Sequence, residues 1–151
     1  MLRNGELVYL LAALVTGALV PFQLAFNAQL REATRSPYTA GLVIFAIGAV
    51  AMTGLVLMLR QSMPSAAMLA AAPWTVWLGG LIAVVYILAV VVVTPRIGVG
   101  TMAVFVVAGQ ILTALVLDHL GAFGNPQASI NLWRLAGALL VVSGAVLIRT
   151  H

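Results

Sequence analysis

The side chains best suited to contact a solute lie in the first hydrophobic segment, where two amides are one helical turn apart. At roughly 100° per residue, Gln23 and Asn27 share an arc of about 40° with Thr16, and Arg31 follows one turn later. Unsatisfied polar groups are costly in hydrocarbon, so we expect these four residues, termed the polar ladder, to face a partner helix or a wet cavity. Amides suit neutral or anionic polar groups. Interhelical hydrogen bonding explains the same residues equally well.

Two more polar side chains lie near the middle of hydrophobic segments. Gln110 lies in the fourth segment, with Thr113 three residues later, and Tyr86 lies in the third. Gln110 either faces the same cavity as the polar ladder or bonds another helix. For Tyr86 we expect a bond to another helix or a contact with a ligand.

A charged cluster is predicted at one membrane face. Asp118 and His119 end the fourth segment, and Arg134 follows Trp133 at the start of the fifth. The helix dipole disfavours an acid at a helix C-terminus, so Asp118 should pair with a cation, for which Arg134 is the candidate. The pair is either a structural salt bridge or a gate that contacts an anionic group, with His119 beside it.

The sequence offers little for metal binding or enzymatic chemistry. It contains no cysteine, and its two histidines, His119 and His151, are 32 residues apart. We find no Ser-His-Asp arrangement, phosphate loop or paired carboxylates at a plausible depth. We therefore expect no metal, no cofactor and no enzyme, and no arginine cluster or aromatic array suggests nucleic acid.

The elements that carry these residues are membrane spans. The 151 residues are 64% hydrophobic and 7% charged, whereas a soluble domain has about 25% charged residues. The five segments long enough to span a bilayer are 7–30, 37–59, 74–94, 98–117 and 132–148. Their length and lack of alternation exclude barrel strands. We expect one all-α membrane domain over residues 1–151, without a soluble domain.

Local signals mark several ends of these spans. Ser36 is the expected N-cap of the second span, with Pro37 at its first helical position. The segment 95–98, PRIG, is predicted as a tight turn that makes spans three and four antiparallel neighbours. Asn125-Pro126 predicts a further turn. Tryptophans at span ends are typical of interfacial anchors; here these are Trp74, Trp77 and Trp133.

The seven arginines give the chain a weak orientation signal. With five spans the termini lie on opposite faces, and the arginines divide three against four. One face holds Arg3, Arg60 and Arg134; the other holds Arg31, Arg35, Arg96 and Arg149. Since the N-terminal amine evens this count, the chain could insert both ways and pair as an antiparallel, ten-helix dimer. The alternative is one orientation, set by the turn with Arg31 and Arg35.

Small residues in the fifth span indicate close packing. Gly137 and Gly144 are seven residues apart and fall on one stripe, with Ser143 adjacent. Such residues let helix backbones approach closely, which indicates helix packing, and a sharper hypothesis is that this span forms the dimer seam.

Several motifs together resemble the YdcZ-like family of the drug/metabolite transporter superfamily. They are PFQLAFNAQLR, SPYTA, WLGGLIAVVY, TPRIGVG, GQILTALVLDHLGAFG and WRLAGALLVVSGAVLI. The resemblance covers nearly the whole chain and implies a small five-helix protein of the bacterial inner membrane. It further implies transport, by dual-topology homodimers, oppositely oriented heterodimers or fused ten-helix forms.

One departure from the related small multidrug resistance proteins limits the analogy. Those proteins place a glutamate near the middle of their first helix, where protons and cationic drugs compete. The acids of this chain, Glu6, Glu32 and Asp118, all lie at segment ends. We therefore do not expect proton-coupled export of hydrophobic cations by that mechanism.

The sequence predicts a transporter that moves a small neutral or anionic polar or amphiphilic solute by alternating access. The path would lie between protomers of an antiparallel dimer, lined by Gln23, Asn27 and Gln110, with Tyr86 and Arg31 as further candidates. Two alternatives are a lipid-handling, flippase-like carrier and a non-transporting subunit that needs an oppositely oriented homologue.

Overall fold

Helices account for all the regular structure of the described chain. The computed structural model describes residues 4–124 and 126–151. The α-helices are α1 (Asn4–Thr34), α2 (Pro37–Met58), α3 (Ala66–Ala71), α4 (Leu78–Ile97), α5 (Val99–Leu120) and α6 (Leu132–Thr150). Short 3₁₀ turns occupy Trp74–Trp77 and Ala122–Gly124, and no strand occurs among these residues. Arg3 and Asn125, which enter two of the predictions above, lie outside them.

Five of the helical segments are long and apolar enough to cross a membrane, which confirms the predicted all-α, five-span architecture. The candidate spans are Glu6–Thr34, Pro37–Met58, Trp74–Ile97, Val99–Leu120 and Leu132–Thr150. The short α3 lies in the segment predicted as the second loop. Ser65 caps it by accepting a hydrogen bond from the Met68 N–H at 3.2 Å.

Local capping signals explain where two of the spans begin. Ser36 has extended backbone, and its Oγ accepts from the Thr39 N–H at 3.3 Å, with Pro37 first in the helix. This confirms the predicted start of α2. Asn131 caps α6 in the same way, because its Oδ1 accepts from the Arg134 N–H at 2.9 Å.

The prediction of a four-residue turn at residues 95–98, PRIG, is wrong, because the turn is shorter. α4 continues through Pro95 and Arg96 to Ile97, so only Gly98 separates α4 from α5. Pro95 lies in the last turn of α4 and has no N–H to donate to the Val91 carbonyl. Gly98 has φ 84° and ψ 158°, a conformation that is essentially restricted to glycine.

The chain divides into two compact units, and the first comprises Leu24–Pro95. Its core contains Ala40 from α2 and two residues of α4, Ile87 and Val91. Three partly buried side chains pack against this core; they are Leu30, Ile44 and Tyr86. The unit thus joins the C-terminal half of α1 with α2 and α4.

The second unit comprises the residues up to Gln23 together with Arg96–His151. Here α5 packs against α6. Ala138 and Ala145 of α6 are buried, and they are seven residues apart on one stripe of the helix. Small side chains in this register let two helices approach closely without a large apolar core.

Most apolar side chains of the spans are exposed. In the first span, only 6% of the 18 consecutive residues that are most apolar are buried. The large apolar residues of α1 from Leu7 to Leu19 are all exposed. Such surfaces require lipid or another protein chain as their surroundings.

Candidate functional site

The polar ladder on α1 does not behave as one uniform face. Asn27 is buried, with 7% of its surface exposed, whereas Gln23 and Thr16 are exposed and Arg31 is half-buried. The Thr16 hydroxyl donates to the Ala12 carbonyl at 2.8 Å, so it is satisfied within its own helix. Of the predicted ladder, Asn27 alone is a buried group with unused hydrogen-bonding capacity.

The Asn27 side chain presents an unpaired donor inside a membrane span. Its Nδ2 is buried and has no hydrogen-bond partner among the described residues. Leaving a buried donor unsatisfied typically costs about 1–3 kcal/mol. The Asn27 amide therefore has unused hydrogen-bonding capacity, and its role as a substrate-path residue stays a prediction.

Thr94 is a second buried polar residue of the Leu24–Pro95 unit, and sequence reasoning missed it. It is 2% exposed, and its Oγ1 has no partner among the described residues. By contrast, the hydroxyls of Thr16, Thr34 and Thr150 each donate to the carbonyl four residues earlier, at 2.8–3.0 Å. The available signal was a threonine that directly precedes a proline within an apolar span.

Gln110, Thr113 and Tyr86 have different environments. Gln110 and Thr113 are exposed on α5, whereas Tyr86 is half-buried and packs against the Ala40–Ile87–Val91 core. The ring of Tyr86 therefore contributes to packing. A joint cavity for Gln110 and the polar ladder stays a prediction.

The predicted pair between Asp118 and Arg134 forms at the connector of α5 and α6. The Arg134 Nη2 lies 3.2 Å from the Asp118 Oδ2, and Nη1 donates to the Ala128 carbonyl at 3.0 Å. The Ala128 N–H in turn donates to the Asp118 carbonyl at 2.9 Å. Arg134 thus fixes both the end of α5 and the connector.

His119 also holds the connector. Its Nδ1 accepts from the Ile130 N–H at 3.3 Å, and its carbonyl accepts from the Gln127 Nε2 at 2.9 Å. Sequence reasoning missed Gln127, Ala128 and Ile130, because two of them act through backbone groups that residue type does not reveal. Through these bonds Asp118, His119 and Arg134 stabilise the connector. Their role as a gate or anion contact stays a prediction.

Two arginines and one acid, Glu32, lie at the α1–α2 junction. Arg31 is half-buried and Arg35 is exposed, and neither forms a salt bridge with a described residue. Arg35 also has φ 53°, which is unusual for a residue other than glycine. Arg96 is exposed at the end of α4.

The residues predicted to form a dimer seam are open in the single chain. Gly137 and Ser143 are exposed and Gly144 is half-buried. A methyl group at either glycine would meet no atom within 4 Å. Within the described chain these glycines therefore make no close contact with another helix, and the dimer seam stays a prediction.

Five apolar helical segments, with polar side chains exposed or buried along them, define a multi-pass α-helical membrane protein. The chain belongs to the DMT_YdcZ family, described as "putative inner membrane exporter, YdcZ", whose model matches residues 8–147. This confirms the resemblance drawn from the sequence motifs, and it implies a transporter rather than an enzyme. No curated protein and no solved structure matches the chain.

Proposed function

We propose that the chain exports a small neutral or anionic polar or amphiphilic solute across the bacterial inner membrane by alternating access. The observation that carries this proposal is the buried amide of Asn27, which has no partner among the described residues. A membrane span gains nothing in stability from such a group, because a leucine of similar size would pack there without the cost. The family description supports export as the activity.

The transporting form that we propose is an antiparallel homodimer. Gln23 and Gln110 expose amides along apolar helices, and such groups need a partner or water at membrane depth. A second, inverted copy would supply both, with the path between protomers lined by these residues and Asn27. The nearly even division of the arginines supports two orientations, and the open glycines of α6 leave room for close contact.

The charges of the chain favour the proposed class of solute. Arginines lie near both ends of the spans, and the acids at positions 6, 32 and 118 all lie near helix ends. A cation would therefore find no carboxylate at mid-span, whereas the Asn27 amide can bond a hydroxyl, carbonyl or carboxylate.

Replacing Asn27 with leucine separates transport from packing. In proteoliposomes that contain a panel of labelled neutral and anionic solutes, we expect Asn27→Leu to abolish flux of the transported solute. We also expect this variant to be more stable by about 1–3 kcal/mol in thermal unfolding, since the unpaired buried donor is removed. Higher stability together with lost flux identifies a residue kept for binding.

Gln61→Leu is the control, because Gln61 is an exposed amide outside the spans. It should change neither flux nor unfolding. If Asn27→Leu instead lowers stability and dissociates the dimer, the amide fastens helices and the proposed path is wrong.

A further inference from the structure

The Leu24–Pro95 unit has an apolar groove between α2 and α4. Its volume is about 250 Å³. The groove is lined by Tyr38, Gly41, Leu42, Phe45, Val84 and Leu88. Only the hydroxyl of Tyr38 adds a polar side-chain group to this lining, and Tyr38 and Leu42 are highly exposed.

Helix geometry sets the direction of the groove. Tyr38, Leu42 and Phe45 follow the i, i+4, i+7 pattern on one face of α2 and extend over about 10 Å of its axis. Tyr38 is the second residue of α2, so the groove starts at one membrane face and runs toward the bilayer interior. The two helices are close at Gly41, where a methyl group would lie 3.3 Å from the Leu88 Cδ2.

Two arginines precede the first groove residue, Tyr38, along the chain. Arg35 lies three residues before Tyr38, and Arg31 lies one turn earlier on α1; Glu32 lies between them, and neither arginine forms a salt bridge with a described residue. Tyrosine is favoured at the level of lipid head groups, where its ring is apolar and its hydroxyl is wet. The surface therefore combines an apolar slot with cations at its mouth, which complements an amphiphile with a negative head.

We propose that this groove holds an acyl chain of an anionic phospholipid, whose phosphate contacts Arg35 and Arg31. The volume lies just below the range of ligand pockets, roughly 300–1,000 Å³, and suits part of a chain. A helix of a second copy is a poorer occupant, since helix pairs pack along several turns and the groove spans about two. The lipid is a structural one that stays bound to the protein, and its binding does not depend on the proposed transport.

Photocrosslinking tests this site on the full-length protein. The probe is phosphatidylglycerol with a diazirine near the middle of one acyl chain, added to the protein in mixed detergent micelles. We expect crosslinked peptides to cover residues 38–45 and 84–88. Zwitterionic phosphatidylcholine with the same diazirine should label these peptides about fivefold less, because its choline cation offsets the phosphate charge and weakens the attraction to the arginines.

Two matched pairs of variants serve as controls. Leu42→Trp obstructs the groove, whereas Leu57→Trp makes the same change at an equally exposed leucine near the other end of α2 (71% and 68% exposed). Arg35→Gln and Arg60→Gln make the same change at two arginines that have positive φ and lie just after the end of a helix. We expect the first member of each pair to lower labelling by phosphatidylglycerol about fivefold and the second to leave it unchanged.

Three results would overturn the proposal. They are labelling spread evenly along α2, equal labelling by the two lipids, and equal loss in both members of a pair. Protection of these peptides in the dimer but not in the monomer would assign the groove to a second copy instead.

Discussion

Two side chains of the first unit, Asn27 and Thr94, differ from the apolar residues around them because each is buried with an unpaired polar atom. Most buried polar groups in proteins have a hydrogen-bond partner. These two exceptions among the described residues lie in one compact unit, and they support the proposal that this region binds polar groups from outside the chain. Asn27 could be singled out from the sequence, because its amide lies on a polar stripe. Thr94 could not be ranked above other threonines, because its burial depends on tertiary packing.

Gly98 is the residue at which backbone conformation should matter most. Its φ of 84° and ψ of 158° are strained for any residue with a Cβ, although a methyl group there would meet no atom within 4 Å. We expect Gly98→Ala to destabilise the protein by about 1–3 kcal/mol, measured by thermal unfolding in detergent. Gly100→Ala is the control, since Gly100 lies inside α5 with equal space around it. An equal change in both variants would refute a conformational cause at Gly98.

The helices themselves were largely predictable because their signals are local. Apolar length located all five spans, and the Ser36–Pro37 pair marked the start of α2. The junction after α4 was not predictable in detail, because a proline can either end a helix or lie in its last turn. Here Gly98 is the single residue between the two helices, and only the backbone angles reveal its glycine-specific conformation.

The conformation of the connector between α5 and α6 is held by contacts that can be predicted only partly from residue types. The charges of Asp118 and Arg134 suggested their pairing, and the structure places them 3.2 Å apart. The backbone of Ala128 bridges the same two residues, since it bonds the Asp118 carbonyl and the Arg134 guanidinium. The sequence gives no signal for this bridge, because it uses the backbone of an alanine and not its side chain.

A double-mutant cycle with Asp118→Asn and Arg134→Gln tests whether this pair is structural. The side chains of both residues are more than a third exposed, so solvent weakens their attraction. We expect a coupling free energy of about 0.2–1 kcal/mol in thermal unfolding, and at most a small change in solute flux. Loss of flux in both single variants without loss of stability would show that the pair acts as a gate.

At the scale of the whole molecule, one chain leaves much of its apolar and polar span surface uncovered. Among the described residues, the exposed amides of Gln23 and Gln110 and the open glycines of α6 have no protein contacts that explain them. The proposed inverted second copy would account for these features together, because it would cover apolar surface and give the amides a shared path. Sequence reasoning reached this arrangement through the arginine count, which depends on the number of spans and not on tertiary packing.

The membrane side of His151 tests the antiparallel homodimer most directly. A reporter fused after His151, which is active on one side of the membrane only, would be paired with a second reporter that is active on the other side. We predict comparable signals from both, because the arginines barely favour either orientation. A signal from one reporter alone, in cells where the chain is the sole member of its family, would contradict the account.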